Sequence, residues 1–325
     1  MGRVGGFTAI PRAIATAVNP IHELNAVIAC PILGAPTTNS VLRIVNSGAQ
    51  THWLALFVVC CCFLGTVHAE ETVSNRLEFL PQRLDYQTYI ADPRQPRFSA
   101  ILLSGTGGAV QNEIAFGGAF PLLNMNHEAA STERFQLAGM AGVWSRFDLH
   151  HTLDMVGTDY RAGISISGTG RLSAWRLQYS HESDHLGDEL ILRENLSTRI
   201  AYRREEIAFG TAYLPSAALR FYTEAGYAFI LGDGNRPWRL QAGAEWEGGP
   251  SLPLGARGFA AADLQSRQEV GWNVSWTIEA GVVKWNESHT RSMRLFVNYH
   301  YGHDPLGEFF RERLNYASIG LAFNF

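Results

Sequence analysis

Lysine is nearly absent from this chain of 325 residues, with Lys284 the only one among 26 basic residues. Codon usage of a GC-rich genome accounts for that more simply than a role for guanidinium groups in gripping lipid phosphates. Cysteine is as unevenly spread. All four, Cys30 and Cys60 to Cys62, lie in the first 69 residues. The remainder therefore has neither a disulfide nor a thiolate metal site and must be held by packing and pairing. Cys60 follows Val58 and Val59 rather than the small residue of a lipoprotein cleavage site, which argues against lipid attachment. No apolar run is long enough to cross a bilayer as a helix: Trp53 to Gly65 falls short of the ~20 residues needed. Positive charge is not in excess either. With the three Arg and one Glu of residues 1–69 set aside, 23 basic and 29 acidic residues remain, a net charge of −6. No nucleic-acid partner is expected, because phosphate neutralisation needs a basic face.

What is there begins with an export signal. Trp53 to Gly65 is followed by Thr66-Val67-His68-Ala69 and then Glu70-Glu71, an apolar core closed by a V-x-A cleavage site. A short buried helix or an anchor is the alternative, opposed by the polar, turn-rich sequence that follows at once. Residues 51–69 are read as the signal peptide and Glu70 as the mature N-terminus. Residues 1–50, with Pro11, Pro20, Pro31 and Pro36, do not fit a signal peptide's short basic start. They are read as a mis-assigned extension, the start being expected near Val41 to Val45 with Arg43 as the basic residue.

Residues 70–97 hold three prolines and no sustained period, which predicts an irregular segment on the periplasmic side or at a barrel mouth. From residue 98 to 325 the period becomes two. Trp238, Leu240, Ala242, Ala244 and Trp246 alternate with Arg239, Gln241, Gly243 and Glu245, and Leu219 to Phe229 and Trp272 to Glu279 repeat the pattern. One face is apolar and the other charged, over runs longer than the ~5 to 6 residues usual in a soluble sandwich. That predicts an all-β fold, an antiparallel transmembrane β-barrel in a bacterial outer membrane, with a soluble sandwich as the alternative. Twelve strands are read near 97–104, 112–120, 132–148, 157–167, 171–183, 195–213, 217–231, 236–246, 254–262, 271–285, 291–302 and 314–325. The last ends in Phe325 and resembles the terminal signal that barrel-assembly machinery recognises, which makes that machinery an expected partner. Lumen positions such as Arg176, Arg220, Glu224, Arg239, Glu245 and Glu279 carry both signs, and so would fill a small barrel sooner than line an open channel.

With both chain ends periplasmic, His150, His151, His181, His185, His300 and His303 fall at outward ends, and only His127 and His289 at periplasmic turns. Solvated, idle histidines are the plain alternative. The densest candidate is Tyr179 to Glu189, where His181 and Ser183 point the same way from a strand, on the lipid-facing set with Trp175, Leu177 and Tyr179. There an imidazole can take a hydroxyl proton beside lipid esters.

This H-x-S pair is similar to that of outer-membrane phospholipase A and of the outer-membrane lipid A deacylase, where a third residue orients the histidine. By that resemblance Asn195 stands at the phospholipase's spacing and Glu194 beside it matches the deacylase's Glu. The residue after the serine, Asn in both families, is Asp184 here. Leu196, Thr198, Ile200 and Tyr202 read as outward, whereas Ile207, Phe209, Thr211 and Tyr213 are odd-numbered, so a bulge near Arg203 to Glu206 is expected to shift the phase. Over the mature chain, Ala91 to Phe98, His181 to Glu189 and Gly302 to Phe309 resemble recurring segments of the uncharacterised bacterial family known as domain of unknown function 1207. That family implies the barrel and no activity.

The reading is thus an outer-membrane acyl-ester hydrolase acting on outer-membrane lipid, with Ser183 as nucleophile, His181 as base and Asn195 or Glu194 orienting it. A non-catalytic structural or binding barrel is the alternative. The phospholipase resemblance implies calcium as cofactor, with Asp184 and Asp188 as candidate ligands; no EF-hand or zinc spacing is present, and solvated loop carboxylates are the plainer alternative.

Overall fold

A computed structural model describes residues 76–105, 108, 110–126, 134–196, 198–232 and 234–324. The signal peptide, the extension before it, His127 and Phe325 lie outside the described residues. Fourteen elements matter here: β1 (Arg76–Phe79), β2 (Phe98–Gly105), β3 (Val110–Asn126), β4 (Arg134–Asp148), β5 (Asp154–Thr169), β6 (Ser173–Leu186), α1 (Asp188–Glu194), β7 (Arg203–Ser216), β8 (Leu219–Leu231), β9 (Trp238–Gly248), β10 (Arg257–Arg267), β11 (Val274–Trp285), β12 (Ser292–Tyr301) and β13 (Tyr316–Asn324). Consecutive strands from β2 to β13 pair antiparallel. β13 returns to β2, with Tyr316 opposite Gly105 and Phe323 opposite Phe98, so a twelve-strand barrel closes with no open edge. Strand β1 adds four residues to β3 beyond the point where β2 ends, with Phe79 opposite Leu123.

The alternation read from the sequence decides which side chains face out. In β9, Trp238, Leu240 and Trp246 are exposed while Arg239, Gln241 and Glu245 are buried. In β8, Phe221, Tyr227 and Phe229 are exposed and Arg220, Tyr222 and Glu224 buried. Charged residues are thus buried and large apolar ones exposed, the inverse of a soluble protein and the arrangement a lipid surround requires. Trp276 and Leu321 share this outer set by register, as the period predicts.

Inside, a protein core replaces a channel. Residues 80–97, irregular as their prolines require, run through the lumen; they were expected at its mouth or on the periplasmic side. Leu80 N–H still donates to the Leu122 carbonyl of β3 at 3.0 Å, but beyond it lumen side chains meet several of the segment's backbone groups. Arg220 donates to the carbonyls of Gln87 and Thr88 at 2.8 and 3.1 Å, and Glu245 accepts from the Ile90 N–H at 2.7 Å. Gln241 and Gln265 donate to Asp92 at 3.2 and 3.0 Å. Tyr89 stacks on Tyr222 with centroids 3.9 Å apart, and Tyr86 lies between the guanidinium groups of Arg176 and Arg220 at 4.7 and 5.0 Å. The Tyr89 hydroxyl donates to Glu224 at 2.9 Å.

The lumen charges read from the sequence pair with one another. Arg176 meets Glu224 at 2.7 Å, Arg239 meets Glu224 at 2.7 Å and Glu206 at 2.6 Å, and Arg220 meets Glu245 at 3.0 Å. The two longest connections between neighbouring barrel strands, residues 187–202 and 302–315, lie at one end and fold over it. Arg146 holds Asp304 through Nη1 at 2.8 and 2.9 Å, Asp159 accepts from the Gly307 N–H at 3.0 Å, and Arg94 Nε donates to the Pro305 carbonyl at 2.8 Å. Ala91–Phe98 and Gly302–Phe309, two of the segments singled out in the sequence, therefore meet at the top of the lumen.

Candidate lipid-face site

The wall formed by β5, β6 and β7 carries the candidate site near the long-connection end. Its register sets a grid of outward side chains. His181 of β6 lies between Ala162 of β5 and Glu205 of β7, and Ser183 lies between Tyr160 and Arg203. Alternation in β6 puts odd-numbered residues outward, so Tyr179, His181 and Ser183 share one face at a spacing of about 6.7 Å per two residues. The expectation that His181 and Ser183 face outward together holds in this register. Exposed Ala162 is the small member of the grid and leaves the flank of His181 open.

The orienting group is one that sequence reasoning did not name. His181 Nδ1 lies 2.7 Å from Glu205 Oε1, across the β6–β7 ladder. The other carboxylate oxygen, Oε2, accepts from the Tyr179 hydroxyl at 2.5 Å, and Arg203 Nη2 sits 3.4 Å from Oε1. A carboxylate accepts only, so the imidazole proton belongs on Nδ1 and Nε2 is the basic nitrogen. The bulge expected within Arg203 to Glu206 is absent: β7 stays in step with β6 from Arg203 to Tyr213, and the register shift against β8 between Glu205 and Glu206 comes from an extra β8 residue, Phe229. Residues 195–202 are not strand, so no change of phase is needed.

Glu194 and Asn195 stand elsewhere. The sequence reading ran a strand through 195–213, but β7 starts at Arg203 and residues 188–194 form a helix. Asp188 and Glu189 in the first turn and Arg193 in the last suit the helix dipole, and Asn195 closes it in the left-handed conformation at φ 49°. Both Glu194 and Asn195 are exposed; Glu194 accepts from Arg193 Nε at 3.2 Å, and Arg193 ties the helix to Asp154 at 2.6 Å.

Asp184 is buried toward the lumen, on the opposite side of the wall from Ser183, so its carboxylate does not crowd the lipid face. Asp188 is exposed on α1. Among the described residues no three His, Cys, Asp or Glu side chains gather closely enough to hold a metal ion. Asp184, buried toward the lumen, and Asp188, exposed on α1, form no such cluster.

Of the other histidines, His300, His151 and His185 have local side-chain partners, whereas both ring nitrogens of His303 are buried without a hydrogen-bond partner among the described residues. His300 Nδ1 meets Thr277 Oγ1 at 2.9 Å, and Nε2 donates to the His303 carbonyl at 3.0 Å. His151 meets Asp148 at 2.7 Å, and His185 lies edge-on to Tyr160 with centroids 5.6 Å apart.

A closed twelve-strand antiparallel barrel with an apolar outer face and a charged, filled interior is a β-barrel of the outer-membrane type. The chain belongs to the family described as a protein of unknown function (DUF1207), whose model matches residues 60–325. No curated protein matches it. Among solved structures it is similar to outer membrane phospholipase A from Escherichia coli, at 11% identity over 70% of this chain and 89% of that one, with a TM-score of 0.46. It is similar also to the Salmonella typhi outer membrane phospholipase dimer with bound calcium, at 12% identity, 72% and 94% coverage and a TM-score of 0.45. The KdgM porin matches at 9% identity, 70% and 98% coverage and a TM-score of 0.39. These likenesses concern the barrel fold alone.

Proposed function

We propose that this protein is an outer-membrane acyl-ester hydrolase with its long connections outside the cell, acting on outer-membrane lipid at a Ser183–His181–Glu205 site. The observation that carries this is the 2.7 Å contact of His181 Nδ1 with Glu205 on the same outward face as Ser183. A soluble substrate would never reach that face; an acyl ester at the membrane interface lies against it.

His181 Nε2 takes the Ser183 hydroxyl proton as Oγ bonds the ester carbonyl carbon. The imidazolium then returns that proton to the departing lipid alcohol, leaving an acyl-serine that water hydrolyses by the same route reversed. Glu205 holds the Nδ1–H tautomer and balances the imidazolium, and Tyr179 fixes the carboxylate from its far side. Asn195 and Glu194, the orienting residues expected from the resemblance, give up that role to Glu205. An open pore is disfavoured by the filled lumen.

The test is fatty-acid release from outer-membrane lipid in mixed micelles by the purified full chain. Ser183→Ala and His181→Ala should each lower the rate about 10²- to 10⁴-fold, and the double variant little further, because the pair acts as a unit. Glu205→Gln should fall in the same range, whereas Asn195→Ala should keep the wild-type rate. No release by the wild-type protein, or full activity in Ser183→Ala, overturns the hydrolase.

A further inference from the structure

We infer that the lumen carries, at the end opposite the long connections, a binding site for a small amphipathic carboxylate centred on Arg294. A cavity of about 190 Å³ opens there between the lumen segment and the wall. Ile90, Phe259, Val283 and Trp285 give it apolar sides, and Arg294 of β12 lines it with Arg220, Glu245 and Glu247. Exposed Ser216 and Ala217, in and after β7, stand at its rim.

Three of the four charged groups are committed elsewhere. Arg220 is bound to Glu245 Oε2 at 3.0 Å and to two carbonyls of the lumen segment. Glu245 Oε1 accepts from Ile90, and Glu247 accepts from Trp285 Nε1 at 2.8 Å. Arg294 is different. It is 4% exposed, its Nε is buried with no hydrogen-bond partner, and its nearest ion-pair partner, Glu279 Oε1, is 4.0 Å away. That carboxylate also faces Arg97 at 3.6 Å, so two buried guanidinium groups share one counter-charge. The Phe259 ring, 5.8 Å from the Arg294 guanidinium carbon, offers only a cation–π contact.

A buried guanidinium held only by a distant, shared counter-charge and with its Nε unsatisfied is costly, and a planar carboxylate is the group that meets its fork with two parallel bonds. The apolar walls then ask for a hydrocarbon or aromatic body. Glu245 and Glu247 limit the guest to a single negative charge, which excludes phosphate dianions. The volume is below the ~300 to 1,000 Å³ of drug-sized pockets, which restricts the guest to a short acid.

The probes are benzoate and hexanoate, each paired with its neutral amide, titrated calorimetrically into the full-length protein in dodecylmaltoside. One saturable site is expected for the acids, with the amides roughly tenfold weaker or more, the worth of a charge-assisted hydrogen bond. Arg294→Gln should erase the difference between acid and amide. The inference is overturned if neither acid saturates, if the amides bind equally well, or if Arg294→Gln keeps the preference. The acid–amide comparison on the wild-type chain decides the matter even where the variant does not fold. None of these readouts depends on ester hydrolysis.

Discussion

Glu224 shows what a single lumen residue does in this barrel. Its carboxylate accepts from Arg176 and Tyr89 on Oε2 and from Arg239 on Oε1, linking three strands to the central segment. Removing one partner of a buried pair leaves the others charged and dry, which costs about 3–5 kcal/mol. Glu224→Ala should therefore lower the temperature at which the barrel loses its heat-modifiable gel mobility, while Thr223→Ala on the outer face should leave it nearly unchanged. Equal effects would show that the lumen network contributes no more than surface contacts. Glu205 makes the corresponding point on the outer face. It is adjacent in sequence to Glu206, yet Glu206 turns inward to Arg204 and Arg239 while Glu205 turns outward to His181.

At the scale of elements, strand alternation was legible because lipid and lumen impose opposite chemistry on successive residues. Trp238–Trp246 and Leu219–Phe229 could be assigned to faces from their order alone. The third site residue was not legible, because pairing β6 with β7 requires knowing how the 187–202 connection is spent. A seven-residue helix, Asp188–Glu194, occupies part of it, and this moves the partner of His181 from the neighbourhood of residue 195 to Glu205. Periodicity of two could not signal that helix, although acidic residues at its start and Arg193 at its end were visible. The lumen segment was likewise readable as irregular, but its destination depends on long-range bonds from Arg220, Gln241 and Glu245. Because that segment fills the barrel, the wild-type protein should carry no steady current in planar bilayers, and a variant lacking residues 80–92 should conduct. Steady conductance by the wild-type chain would contradict the filled lumen.

The whole molecule separates two environments with one wall. The paired charges and the cavity near Arg294 lie inside, with buried aromatics such as Tyr89 and Phe259 among them; the outer face is mostly exposed aromatic and aliphatic side chains, and in it stands the Ser183–His181–Glu205 grid. A polar triad costs stability on an apolar surface, so its placement near the end of the wall fits the interfacial depth where ester groups lie. Closed topology, strand number and the outward direction of His181 and Ser183 followed from the period of the sequence. The charge partner followed only from register. The proposed hydrolase stands or falls with Ser183 as a nucleophile activated on this outer face. The most direct measurement is labelling of the detergent-solubilised full chain with a fluorophosphonate, followed by peptide mass spectrometry. A single adduct on the peptide carrying Ser183, lost in His181→Ala and strongly slowed in Glu205→Gln, is the predicted result; an unlabelled Ser183, or labelling that persists undiminished in His181→Ala, would contradict it.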